Sequence, residues 1–204
     1  MVMRRLILWI LFTVSCSALY AQQFPSQLWH DGKIVTINGD TLKGLVKYNL
    51  DLNVVQLERK KKIITISAQK LYYFEIFDAT VDNFRYFYAL PFANDQNYET
   101  PMIFEVLHEG KMSLLTREKI VTETVTQYSY YSPNQVLAET LDYDYYFLKE
   151  QGKLRRYNQR KHELEKMFMR DKSDQVRKFI KKNRLKYDRK ADLVRIVYYY
   201  NTLI

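Results

Sequence analysis

From Lys33 to about Leu148 apolar and polar residues alternate, or apolar residues run in short blocks, and β-branched and aromatic types dominate. This is the period-2 pattern of strands. "KIVTIN", "LKGLVKY", "NVVQLER", "KKIITIS", "KLYYFEIFD", "FRYFYAL", "MIFEVLH", "KMSLLTRE" and "IVTETVTQYSYY" follow one another along the chain. "DYDYYFLKEQGKLRRY" reads as a closing hairpin that turns near Glu150-Gln151-Gly152. The period changes near Tyr157. Leu164, Met167 and Phe168 share one helical face, as do Val176, Phe179 and Ile180. Leu193, Ile196, Val197 and Tyr200 form an i, i+3, i+4, i+7 stripe. Ser173 or Asp174 suits the start of the second helix, and Asp188 the start of the third. The expected fold is therefore α+β. It has a curled or barrel-like antiparallel sheet of about eight to ten strands, followed by about three C-terminal helices packed on it.

One stretch looks like a motif. "NGDTLKG", Asn38 to Gly44, has the glycine, aspartate and threonine of a phosphate or calcium loop. A phosphate loop needs more glycine and a following helix, and a strand pattern follows here. A calcium loop needs alternating carboxylates ending in a glutamate at its twelfth position, and Asp40 stands alone. Asn-Gly between two strand patterns is instead a strong hairpin signal, because both residues tolerate positive φ.

The first residues belong to another class. Arg4 and Arg5 precede the apolar run Leu6 to Val14, and "SCSALYA" then supplies small residues before polar "QQ". This order is that of a secretory signal peptide. The run is short for a membrane span, which takes about 20 residues. Three segments result: a signal peptide over 1–21, an antiparallel β body over 22–150 and a basic helical part over 151–204. Cleavage after Ala21 leaves no transmembrane span and removes Cys16, the single cysteine. The exported chain then has no disulfide and no thiolate chemistry. The alternative is lipidation of Cys16, with Ser15 fitting the residue before the cysteine and Thr13 fitting poorly.

Charge narrows the partners. The chain carries +9, and Lys149 to Lys190 holds 17 Lys/Arg against 6 Asp/Glu. Export makes nucleic acid a poor partner for these helices. An anionic envelope surface suits them better, with Lys178, Lys181 and Lys182 on a polar helix face. Tyrosine is the unusual residue, with 18 copies. Its ring and polar tip suit stacking on a glycan or docking a protein. The expected patch is Tyr130, Tyr143 and Tyr145. Asp142 and Asp144 lie two apart on a strand and share a face, the arrangement a carboxylate-pair hydrolase would need. His30, His108 and His162 fall in different elements without ligand spacing. No metal, cofactor or catalytic residue is expected.

Three further segments carry a resemblance. They are "GKIVTINGDTLKGLVKY" from Gly32 to Tyr48, "ITISAQKLYYF" after the basic run, and "VRKFIKKNRLK" followed by "DLVRIVYYYN" to Asn201. In that order, behind a signal ending in Ala-Gln, they resemble a group of uncharacterised exported proteins of Bacteroidota. The resemblance implies compartment and architecture and no site. Asp40-Thr41-Leu42 also resembles the O-glycosylation sequon of exported proteins of these bacteria, which makes Thr41 a candidate acceptor. The expected function is a non-enzymatic binding or structural component of the periplasm or outer membrane, with an envelope protein, glycan or anionic surface as partner. The rival readings are a periplasmic hydrolase and a β-barrel that binds a small ligand or glycan.

Overall fold

A computed structural model describes residues 23–93, 98–128, 133–150, 152 and 154–204. The strands are β1 (His30–Thr36), β2 (Thr41–Asn49), β3 (Val54–Arg59), β4 (Lys62–Ser67), β5 (Leu71–Asp78), β6 (Asn83–Ala93), β7 (Glu99–His108), β8 (Met112–Tyr128), β9 (Pro133–Lys149) and β10 (Arg155–Tyr157). Three helical segments follow. α1 is the turn Lys161–Glu163 continued by a π turn over Leu164–Phe168, α2 is Ser173–Asn183 and α3 is Lys190–Asn201. All ten strands form one antiparallel sheet in the order β10-β9-β8-β7-β6-β5-β1-β2-β3-β4. The order is sequential except that β1 lies between β2 and β5.

The Asn38-Gly39 segment is a turn. Gly39 N donates to the Thr36 carbonyl at 3.0 Å, Thr36 N to the Asp40 carbonyl at 3.0 Å, and Gly39 takes φ +87°. Gly39 alone in this turn has positive φ, so the loop runs through Ile37, Asn38 and Gly39 rather than through two left-handed residues. A Cβ at Gly39 meets nothing within 4 Å. Gly39→Val therefore costs backbone strain alone, and the expected loss is about 1 kcal/mol or more in chemical denaturation. An unchanged denaturation midpoint would show that the turn does not need its glycine.

The sheet curls but does not close, since β10 and β4 are left as edges. Five inter-strand steps separate β8 from β2 in the order, which is about 24 Å along a flat sheet. Yet the Tyr48 hydroxyl on β2 reaches Glu118 on β8 at 2.5 Å. Side chains thus bridge what the backbone ladder leaves open. A second clasp lies where β7 and β8 part beyond the Glu105↔Thr116 pair. There Arg117 donates to the Ile103 carbonyl at 2.7 Å, to Asn53 Oδ1 at 2.9 Å and to the Leu50 carbonyl.

The inner face of the curl is packed by Ile34, Val46, Leu57, Phe74, Ile76, Phe87 and Ile103. A second core lies between the β8–β10 end of the sheet and the helices. Met112, Leu114, Tyr145 and Phe147 meet Leu164, Phe168, Val176, Ile180 and the stripe Leu193, Ile196, Val197 and Tyr200. The α3 stripe is thus buried as its periodicity requires. Its last residue is pinned as well. Asn201 accepts from Met112 N at 2.9 Å and donates to the Met112 carbonyl at 2.8 Å, as a strand partner would. Gly110 allows this approach, because a Cβ there would stand 2.7 Å from the Asn201 amide.

Four details differ from the sequence expectation. β8 runs unbroken through Arg117-Glu118-Lys119, so two expected strands are one, and Pro133 to Leu141 continues β9 as its full-length partner. β10 lies past residue 150, so the β body extends beyond that boundary. The first helix is mostly a π turn, closed by Met169 N to the Leu164 carbonyl at 3.1 Å. Neither later helix is opened by the expected side chain: Ser173 is already helical, and α3 follows Arg189 rather than Asp188.

Candidate functional site

Charged residues appear on the inner face, where alternation alone would place apolar ones. Arg85 stands two before Phe87 on β6, Glu105 two after Ile103 on β7, and Glu118 two after Thr116 on β8. They meet at the junction of the two cores. Arg85 Nε and Nη2 grip Glu105 at 2.9 and 2.8 Å, and Nη2 also reaches Glu118 at 2.8 Å. Nη1 donates to the Tyr48 hydroxyl at 2.9 Å and to Asp78 at 3.1 Å. Lys190, the first residue of α3, adds a 3.5 Å contact to Glu105. The guanidinium lies 5.1 Å from the Phe87 ring centroid and 5.7 Å from that of Tyr48.

The electrostatics of this cluster are those of a strut. A guanidinium has five N–H donors, and all five of Arg85 are used inside the protein. Burial opposes the Arg85 charge, but Glu105 and its neighbours outweigh it and hold the cation well above its ordinary range. Burial pushes the Tyr48 hydroxyl well up, and Glu118 adds to this against Arg85, so it stays a donor. Burial would raise Asp78, but hydrogen bonds from Thr80 and Arg85 hold it below the usual aspartate range. No donor of Arg85 is free for a substrate. The cluster ties β2, β5, β6, β7, β8 and α3 together.

The expected site residues scatter. Tyr145 is buried in the helix-facing core, at 2% exposure. Tyr143 is half-buried, with the Lys190 ammonium 4.8 Å from its ring centroid. These two therefore form no exposed patch, because the core shared with the helices takes in Tyr145 and Lys190 of α3 lies over Tyr143. Tyr130 lies outside the described residues. Lys178, Lys181 and Lys182 are exposed on α2, and Thr41 is exposed at the start of β2. Asp142 and Asp144 do share a face, but Lys119 sits between them at 3.2 and 3.1 Å, and Arg156 adds 2.8 Å to Asp144. Burial would raise Asp144, but Arg156 and Lys119 hold it low. A general acid needs the opposite shift. His30 Nε2 pairs with the Pro25 carbonyl at 2.8 Å, and His108 packs edge-on against Tyr198. Among the described residues no group of three or more His, Cys, Asp or Glu could hold a metal.

The aromatic patch lies elsewhere, on the outer face of β5 and β6. Register pairs Tyr73 with Tyr88, Glu75 with Tyr86 and Phe77 with Phe84. Tyr73 and Tyr88 stack at 5.4 Å between centroids, and Phe77 meets Phe84 edge-on at 5.2 Å. Phe84 is 52% exposed, and Tyr86 is 42% exposed. Glu75, the one carboxylate in the column, is paired with Lys33 at 3.0 Å. Strands this apolar on both faces ordinarily have both faces covered. The inner residues Phe74, Ile76 and Phe87 are covered by the core, whereas on the outer face Phe84 and Tyr86 are exposed and Tyr73, Phe77 and Tyr88 are half-buried. The sequence signal was the run "LYYFEIF" itself, which has ring residues at both parities.

No protein-family model, curated protein or solved structure matches the chain. Among the described residues no helix is long and apolar enough to cross a membrane.

Proposed function

We propose that the protein is an exported, non-enzymatic component of the cell envelope that docks another envelope component on the outer face of β5 and β6. The aromatic column that carries this reading has Phe84 and Tyr86 exposed and Tyr73, Phe77 and Tyr88 half-buried beside them. A contiguous exposed apolar patch of this kind marks an interaction site, and ring faces edged by hydroxyls suit a glycan or a protein partner. Export is supported by the basic, apolar, small-residue order of residues 1–21. A hydrolase is disfavoured by the saturated donors of Arg85 and the low Asp144. A carrier of apolar ligands needs a sizeable apolar pocket. The cleft at the open seam, about 390 Å³, is lined largely by polar groups such as Lys47, Asp51, Gln56 and Lys119, whereas a cleft of about 460 Å³ lined by Leu90, Pro91, Ala93, Leu148 and Leu154 is the place where the carrier reading would rest.

The test pairs a surface variant with two readouts. Phe84→Ser with Tyr86→Ser is expected to melt within a few degrees of the parent and to lose co-sedimentation with purified envelopes by about tenfold or more. Protease treatment of the envelopes then tells a protein partner from a glycan. Unchanged co-sedimentation would reject the aromatic face as the docking site. Mass spectrometry of the exported protein is expected to find Gln22 as the first residue. Met1 would reject export by this route, and a lipidated Cys16 would make the protein membrane-anchored.

A further inference from the structure

A basin of about 680 Å³ opens between α1 and α2, away from the aromatic face. Its walls are Lys161, His162, Glu165, Lys166, Arg170, Ser173 and Arg177. Four of these side chains are permanent cations and one is an acid. The acid is already satisfied: Glu165 is buried, accepts from Arg177 at 3.1 Å and from the Tyr187 hydroxyl at 3.0 Å. Arg177 is thereby spent, and it also meets Asp174 at 3.4 Å. Lys161, Lys166 and Arg170 have no ion-pair partner among the described residues. Three uncompensated cations thus converge on one concavity.

The local fold explains the convergence. The π turn widens the backbone between Leu164 and Phe168, and the 3₁₀ turn Arg170–Lys172 follows it directly. Glu165 is drawn inward onto Arg177 and Tyr187, while Lys166 and Arg170 remain at the wall. π turns are frequent at functional sites for this reason, since they re-aim side chains that an α-helix would space evenly. Ser173, at the amino end of α2, adds a hydroxyl where the helix dipole favours an anion. Like charges gathered in a concavity repel one another and cost stability unless something neutralises them.

We infer that this basin binds a phosphate-bearing group. Its volume admits more than one phosphate, Arg170 can fork onto phosphate oxygens, and Lys161 and Lys166 serve as point charges. The site is independent of the aromatic face, so either can fail without the other. The exposed Lys181 lies one turn beyond Arg177 on α2 and continues the same stripe.

Two probes separate the sources of such a group. Pyrophosphate is titrated calorimetrically at low salt, and phosphatidylglycerol vesicles are compared with phosphatidylcholine vesicles by sedimentation. The variants are Lys166→Gln with Arg170→Gln, and a control that removes the same charge at the β3–β4 tip, Lys60→Asn with Lys61→Asn. The tip residues have φ of 50° and 61°, which asparagine tolerates. All forms keep the same amino terminus. The basin variant is expected to bind about tenfold or more weakly with a melting temperature equal to or above the parent's, and the tip control to bind within about twofold of the parent. Binding of pyrophosphate alone indicates a soluble phosphate compound, and binding of the anionic vesicles alone a lipid headgroup. Failure to bind either probe, or equal loss in both variants, would overturn the inference.

Discussion

Arg85→Met is expected to remove about 3–5 kcal/mol of stability at neutral pH, read as a large drop in the urea midpoint. The reason is the company Arg85 keeps. Without it, buried Asp78, Glu105 and Glu118 face one another with Lys190, 3.5 Å from Glu105, as the nearest cation left, and keep only the neutral donors Thr80 and Tyr48. Breaking one member out of a buried ion cluster leaves uncompensated charge in a poor solvent, which costs more than the cluster contributes when whole. The pH response between pH 7 and pH 5 should also change, since Asp78 contributes almost no slope there in the parent. In the parent, Asp78 is held below its unfolded value near 3.8. Its contribution is present above that value and is lost as pH falls through the lower folded value. In the variant the orphaned carboxylates favour protonation, so stability should rise as pH falls from 7 towards 5. Urea unfolding of both proteins at pH 7 and pH 5 reads this. A variant that melts like the parent, with the same pH slope, would mean that the cluster is not a strut.

Ile196→Asp is the second large effect. Ile196 is fully buried in the core shared by α3 and the β8–β10 end of the sheet. The change loses an aliphatic side chain, worth about 2–5 kcal/mol on truncation, and adds a carboxylate with no partner. The expected loss is at least about 4 kcal/mol, felt by the whole fold because Asn201 ties the same helix to Met112. Lys181→Glu with Lys182→Glu is the contrast. Both lysines are exposed in the last turn of α2. Reversal there opposes the helix dipole and should cost about 1 kcal/mol or less. Thermal unfolding of the two variants side by side decides it. If Ile196→Asp melted with the parent, α3 would not be docked on the sheet.

The sequence by itself determined the local elements. Alternation set out nearly every strand, Asn38-Gly39 marked a turn, and the spacing of Leu193, Ile196, Val197 and Tyr200 defined the buried face of α3 before any contact was known. These are short-range matters, because a side chain's face follows from the geometry of its own strand or helix. Alternation also held the charge cluster in plain view, since Arg85, Glu105 and Glu118 occupy inward positions. What joins them was not legible. Tyr48 and Glu118 are 70 residues apart in sequence and meet only because the sheet curls. The same distance in sequence hid which tyrosines would be covered. Tyr145 and Tyr86 look alike along the chain, yet α3 covers the first, and no described element covers the second. The two expected strands part at Lys119, yet β8 is continuous there: Glu118 joins the buried cluster, Arg117 clasps the β2–β3 turn and Lys119 bridges two aspartates. Tertiary structure alone decided these points, because the free energy of a polar or aromatic side chain depends on what lies across from it, and its own strand carries no record of that neighbour.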